Sequence, residues 1–74
     1  MGNLNRREIA RRIKKIRAID LDMNQKRFAK QLGISQPMVS KYEKGQVIPS
    51  AEILLKIARL GKTTVEKILE GEKG

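Results

Sequence analysis

The sequence lacks the residues that most enzyme chemistry needs. It contains no cysteine and no histidine, so disulfides, thiolate zinc sites and the commonest general base are excluded. It has no tryptophan, and only eight carboxylate residues stand against seventeen cations. No apolar run approaches the ~18 residues of a membrane span, and no segment resembles a signal peptide. These absences predict a cytoplasmic protein that is not an enzyme and that binds no cofactor, metal or small-molecule substrate.

The excess of cations is the strongest feature of the composition. The formal net charge is +9, and residues 1–17 hold a disproportionate share of the cations, with Glu8 as their only carboxylate. Such a balance predicts a polyanionic partner: nucleic acid, an anionic membrane or an acidic protein. A basic chain with ordinary solvated charges is the alternative. A membrane-surface role for the first segment is disfavoured because it has no aromatic residue and its isoleucines are needed in the core.

The spacing of apolar residues predicts five short helices and no strand. Ile9, Ile13 and Ile16, for example, recur at the interval of a helix. The predicted helices cover about 6–18, 25–32, 36–43, 50–60 and 64–70. Asp20 to Met23 is predicted to be a connection, Thr63 with Glu66 to cap the last helix, and 71–74 to be a frayed tail. The whole chain, 1–74, is therefore predicted to be a single all-α domain.

The third predicted helix has a polar side that no carboxylate occupies. Ser35 is a good N-cap, and Gly45 can end the helix in the left-handed conformation. Val39 and Tyr42 fall on the side predicted to be buried. The other side carries hydrogen-bonding groups and cations: Gln36, Pro37, Ser40, Lys41 and Lys44. Because a turn of Gly33 and Ile34, followed by the N-cap Ser35, joins this helix to the second, the pair fits a helix-turn-helix.

The second predicted helix begins with two cations. Lys26 and Arg27 follow the N-cap residue Asn24, at the end of a helix where the dipole favours acidic residues. A helix N-terminus that adds cations to its free N–H groups is suited to a phosphate. The alternative is that the side chains of Lys26 and Arg27 are simply solvated, and we favour the phosphate contact.

Several of these residues together resemble the Cro/C1-type helix-turn-helix family (the XRE family). The resemblance covers roughly Ile9 to Leu69. Its marks are Gln25, Phe28-Ala29, Leu32-Gly33, Val39, Tyr42-Glu43, Gly45, Pro49-Ser50 and the run Leu54-Leu55-Lys56-Ile57-Ala58. The resemblance implies a compact, lambda-repressor-like five-helix bundle whose third helix enters the major groove of DNA.

The resemblance also implies roles for individual residues. It places Gln36, Pro37, Ser40 and Lys41 against base edges. It implies that Gln25 contacts a phosphate and braces Gln36, and that the segment around Lys44 to Gln46 follows the DNA backbone. Members often pair an arginine late in the first helix with the glutamate that corresponds to Glu43. Here Arg17 stands one residue too far from Gln25, which argues against that pair.

The chemistry of these side chains agrees with base recognition. Glutamine can donate to and accept from adenine, lysine can donate to guanine, and a proline ring can touch a thymine methyl group. The expected function is therefore sequence-specific binding of double-stranded DNA by a small transcriptional regulator, acting as a homodimer on a palindrome and associated with the nucleoid. The alternative is an adaptor, like an antitoxin or coactivator, that uses the same fold to bind a protein.

One acidic segment imitates the start of a calcium-binding loop. Asp20-Leu21-Asp22-Met23-Asn24 has alternating oxygen ligands. An EF-hand requires glycine at the sixth position and glutamate at the twelfth. Those positions hold Gln25 and Gln31, so no metal site is expected. Asp22 occupies a position where members of the family often have glycine. Aspartate adopts the left-handed conformation more readily than most residues.

Overall fold

Five α-helices make up most of the computed structural model, which describes residues 4–71. No strand occurs within that range. The helices are α1 (Arg6–Lys15), continued by a π-helical turn (Ile16–Asp20), α2 (Gln25–Leu32), α3 (Gln36–Glu43), α4 (Ala51–Leu60) and α5 (Val65–Glu70). The bounds of α2 and α3 coincide with the predicted spans. Apart from Gly71, the tail predicted over 71–74 lies outside the described residues.

Side-chain caps determine where the later helices begin. Ser35 Oγ accepts the Met38 N–H at 3.3 Å, and Ser50 Oγ accepts the Ile53 N–H at the same distance. The predicted capping by Thr63 is wrong, because Thr64 is the N-cap of α5 and accepts the Lys67 N–H at 3.1 Å. The Thr63 N–H instead donates to the Ala58 carbonyl, which closes the end of α4.

The apolar faces of all five helices meet in one core. It contains no polar or charged residue among those that the structure describes. Each fully buried isoleucine, leucine or phenylalanine contributes about 1.5–3 kcal/mol. The buried members are Ile9, Ile13, Ile16, Phe28, Ala29, Leu32, Val39, Tyr42, Leu54, Ile57, Ala58 and Ile68. Only two of them belong to α3, so most of that helix is left for other contacts.

The first helix does not stop where the sequence pattern breaks. The chain stays helical to Asp20 through a π-helical turn, in which the Leu21 N–H donates to the Ile16 carbonyl at 2.8 Å. The predicted connection over 20–23 is therefore wrong at its first residue. Asp22 then takes a left-handed conformation with φ of 52°, as predicted, and lets the chain turn into α2. The hydrogen bonds of a π-helical turn join residues five apart, whereas those of an α-helix join residues four apart, so the π-helical turn accommodates one additional residue.

Two cations hold the helices together by capping helix C-termini. Arg12 Nη1 donates to the carbonyls of Ile68 and Leu69, at 2.9 and 3.2 Å, and so joins α1 to the end of α5. Lys56 Nζ donates to the Leu32 carbonyl at 3.3 Å and joins α4 to the end of α2. Cations at these positions satisfy carbonyls that have no partner within their own helix.

Candidate nucleic-acid interface

The third helix is held against the core by few side chains. Val39 is fully buried and Tyr42 is 5% exposed. Gly45, with φ of 75°, ends the helical path just beyond α3, as the sequence predicts. Burial raises the pKa of the Tyr42 phenol above its usual value of 10.0.

The polar side of α3 faces away from the core. Gln36, Pro37 and Lys41 are exposed, and Ser40 is half-buried. Pro37 lies in the first turn, where a missing N–H costs no helical hydrogen bond. None of the four side chains makes a hydrogen bond or ion pair within residues 4–71. This surface is therefore available to an external partner, and no carboxylate projects from it.

A buried ion pair joins α1 to α3, contrary to the sequence argument against it. Arg17 Nε lies 2.6 Å from Glu43 Oε2, and Arg17 Nη2 lies 3.0 Å from Glu43 Oε1. The Arg17 side chain is 12% exposed and that of Glu43 is 5% exposed. The π-helical turn accounts for the discrepancy, because it absorbs the one extra residue between Arg17 and Gln25. The family pair is thus present despite the longer spacing.

Gln25 belongs to the same network. Its side-chain Nε2 donates to Glu43 Oε1 at 3.1 Å, and the residue is half-buried. The bracing of Gln36 that the resemblance implies is not observed, because the amide is directed to Glu43 instead. Gln25 therefore fixes the start of α2 to the end of α3. Its main-chain N–H, in the first turn of α2, has no acceptor among the described residues.

The start of α2 presents a cationic surface. Asn24 Oδ1 accepts the Arg27 N–H at 2.8 Å, and the first turn contains no acidic residue. Lys26 and Arg27 are exposed and have no ion-pair partner in the part of the chain that the structure describes. Lys30 and Gln31 line a shallow depression with these residues. Lys30 was not singled out from the sequence, although its position one helical turn after Lys26 is the signal that would have found it.

The segment after α3 continues this exposed surface. Lys44 and Gln46 are exposed on either side of Gly45. The Gln46 N–H donates to the Lys41 carbonyl at 3.0 Å, which holds the segment close to the end of α3. The exposed polar side of α3 therefore continues into residues 44–46.

The described residues contain no group of acidic side chains that could hold a metal ion. In the segment that imitates a calcium loop, the Asp20 carboxylate accepts from Lys15 Nζ at 3.2 Å. No helix within residues 4–71 is long and apolar enough to cross a bilayer.

Comparison with curated proteins identifies a family. The helix-turn-helix family model matches residues 13–68, well over half of the chain. An uncharacterised HTH-type transcriptional regulator of Haemophilus influenzae is 48% identical over 44 residues, which is 58% of this chain. The match covers 45% of that relative, so the chain spans about half the length of the curated protein that it matches.

Comparison with solved structures shows the same fold. The P22 c2 repressor, crystallised in complex with a synthetic operator, has a TM-score of 0.79 at 22% identity over 96% of this chain and 100% of that one. The SOS-response repressor LexA from Eubacterium rectale has a TM-score of 0.81 at 18% identity over 97% and 78%. The resemblance seen in the sequence is confirmed: the chain belongs to the Cro/C1-type helix-turn-helix family.

Proposed function

We propose that this protein binds double-stranded DNA sequence-specifically, with the exposed side of α3 in the major groove. The observation that carries the proposal is the unpartnered polar surface of Gln36, Pro37, Ser40 and Lys41, none of which bonds within residues 4–71. Three cations outside this surface serve the fold instead: Arg12, Arg17 and Lys56 are bonded to other helices. A major groove about 12 Å wide admits one helix, and α3 presents an exposed polar side from which no carboxylate projects.

The side chains of α3 have distinct parts in this proposal. Gln36, in the first turn, can form a two-bond contact with adenine, and Pro37 beside it can touch a thymine methyl group. Lys41, about one turn later, can donate to guanine. Ser40 can donate or accept and adds less discrimination. Each good base contact is worth about 1–3 kcal/mol against the wrong base pair.

Phosphate contacts supply most of the affinity in this proposal. Lys26 and Arg27 hold one DNA strand at the start of α2, and Lys44 and Gln46 hold the backbone beyond α3. Gln25 contributes its free main-chain N–H, because its side-chain amide is already bonded to Glu43. Each phosphate that is neutralised makes the log–log salt dependence of binding steeper by about 0.9.

The proposed assembly on DNA is a homodimer on a palindrome. One α3 covers only a few base pairs, and two copies related by a two-fold axis read half-sites about 34–36 Å apart. Such a regulator works at the nucleoid in the cytoplasm. Sedimentation of the protein with and without its selected duplex measures the stoichiometry.

Selection of bound duplexes from a random pool at moderate salt tests the function. We expect an enriched inverted repeat. Gln36→Ala should lose about 1–3 kcal/mol of binding on that repeat and relax the preference at one base pair of each half-site. Lys26→Ala should weaken all duplexes alike. Lys14→Ala, on the outer side of α1, is the matched control and should change neither affinity nor preference.

Two outcomes would contradict the proposal. If the protein binds no duplex in dilute buffer, the adaptor alternative replaces it. If Gln36→Ala binds more weakly but keeps the full site preference, Gln36 is not a base-reading residue.

A further inference from the structure

The cations of the first helix fall into two groups. Most are bonded to another part of the protein: Arg11 to Glu8, Arg12 to carbonyls of α5, Lys15 to Asp20 and Arg17 to Glu43. Three have no such partner within residues 4–71: Arg6, Arg7 and Lys14. The fold therefore accounts for four of these cations but not for Lys14 or for the two at the beginning of α1.

The beginning of α1 lies against the segment that follows α3. A Cβ atom on Gly45 would be 3.5 Å from the Arg6 carbonyl oxygen and 3.7 Å from the Arg7 nitrogen, so the two backbones are in contact there. Lys44 and Gln46 flank Gly45 and are exposed. The first turn of α1 is thus adjacent to an edge of the candidate nucleic-acid interface.

Helical geometry places Arg6 on the side of the first helix that faces α3. Arg6 precedes Arg17 by eleven residues, which is about three turns, so the two lie on the same side of α1. That side faces α3, because Arg17 bonds to Glu43 there. Arg11 follows Arg6 by five residues and points about 140° away. Arg6 therefore extends from the edge of α1 that is nearest to α3.

The charge of Arg6 is unfavourable for the helix itself. It occupies the first position of α1, where the helix dipole repels a cation, and no carboxylate is bonded to it among the described residues. Asn5 already caps the helix by accepting from Arg7 and Glu8 N–H groups. The cation thus contributes nothing to the start of the helix, and an external anion would offset the repulsion.

We propose that Arg6 joins Lys44 and Gln46 in binding the phosphate backbone of the DNA strand opposite the one held at the start of α2. This inference rests on the proposed function, because it takes α3 to lie in the major groove. A major groove has one backbone on each side. Lys26 and Arg27 hold one of them, and the residues on either side of Gly45 meet the other. Arg6 broadens that second edge with a side chain from outside the helix-turn-helix.

The salt dependence of binding by two matched variants tests the inference. Arg6→Gln and Arg11→Gln remove the same charge from exposed positions of the same helix. We expect the salt slope of Arg6→Gln to be smaller than that of the wild type by about 0.9 for each half-site, with the base preference unchanged. Arg11→Gln should keep the wild-type slope. Ethylation interference should show one phosphate per half-site that matters to the wild type and no longer matters to Arg6→Gln.

The failures of the two proposals are distinguishable. If the wild-type protein binds no duplex, the proposed function fails and this inference fails with it. If the wild type binds and Arg6→Gln has the same slope and the same interference pattern as Arg11→Gln, the inference alone is overturned. A shift in base preference by Arg6→Gln would also overturn it, since a phosphate contact carries no base discrimination.

Discussion

Replacing Arg17 by methionine would remove the cation that joins α1 to α3 while keeping an unbranched apolar stem of similar length. In the wild type the guanidinium makes two bonds to Glu43, at 2.6 and 3.0 Å, and a third to the Met23 carbonyl at 2.8 Å. After the change, the Glu43 carboxylate, 5% exposed, would keep only the bond from Gln25. A nearly buried charge would thus lose its counter-ion.

The expected loss of unfolding free energy is about 3 kcal/mol. Removing one partner of a buried pair costs about 3–5 kcal/mol, and the partial exposure of Arg17 favours the lower end. A domain of this size has a total stability of about 4–11 kcal/mol. The loss corresponds to a fall of about 12–24 °C in the melting temperature.

Urea unfolding followed by circular dichroism measures the effect, with Arg11→Met as the control. The Arg11–Glu8 pair is exposed, at 70% and 39%, and its loss should cost less than about 1 kcal/mol. A second variant, Arg17→Met with Glu43→Leu, should recover much of the loss because no charge is left buried. If Arg17→Met is as stable as Arg11→Met, the ion pair is not buried and the account of the π-helical turn is refuted.

Two further changes test the packing around the same helices. Gly61→Ala should lower the free energy of unfolding by about 1–3 kcal/mol, because the new methyl group would lie 2.9 Å from Ile16 Cγ2. A variant as stable as the wild type in urea would refute this close approach. Tyr42→Phe should reduce the loss of unfolding free energy that the wild type undergoes at alkaline pH. Because burial raises the Tyr42 pKa, the protonated form stabilises the fold fully below pH ~10 and this contribution is lost as the pH rises further. Between pH ~9 and ~11 the urea midpoint of the wild type should fall further than that of Tyr42→Phe. Parallel curves for these two proteins would contradict the prediction.

Local chemistry explains why the central helices were predictable. Asn24, Ser35 and Gly33 each act on the residues beside them in sequence, by capping or by a left-handed turn. Those signals predicted the bounds of α2 and α3. The helical spacing of the apolar residues Val39 and Tyr42 predicted the buried side of α3, and with it the exposed side.

The remaining features depend on contacts that no local pattern shows. The π-helical turn is favoured by the pair between Arg17 and Glu43, which lie 26 residues apart. Gly61 is the C-cap of α4 but has a φ of −83°, and Lys62 takes the left-handed conformation instead. The small size of Gly61 is needed because Ile16 packs against it. Arg6 was one of several basic residues in the sequence, and it is distinguished by the contact of its backbone with Gly45 and by its position on the side of α1 that faces α3.

A titration of isotope-labelled protein with the selected duplex, followed by amide chemical shifts, tests the central claim most directly. The account predicts that the largest changes fall on residues 25–27 and 36–46, the start of α2 and the exposed side of α3 with the segment after it. Changes confined to α4 and α5, with 36–41 unaffected, would contradict it.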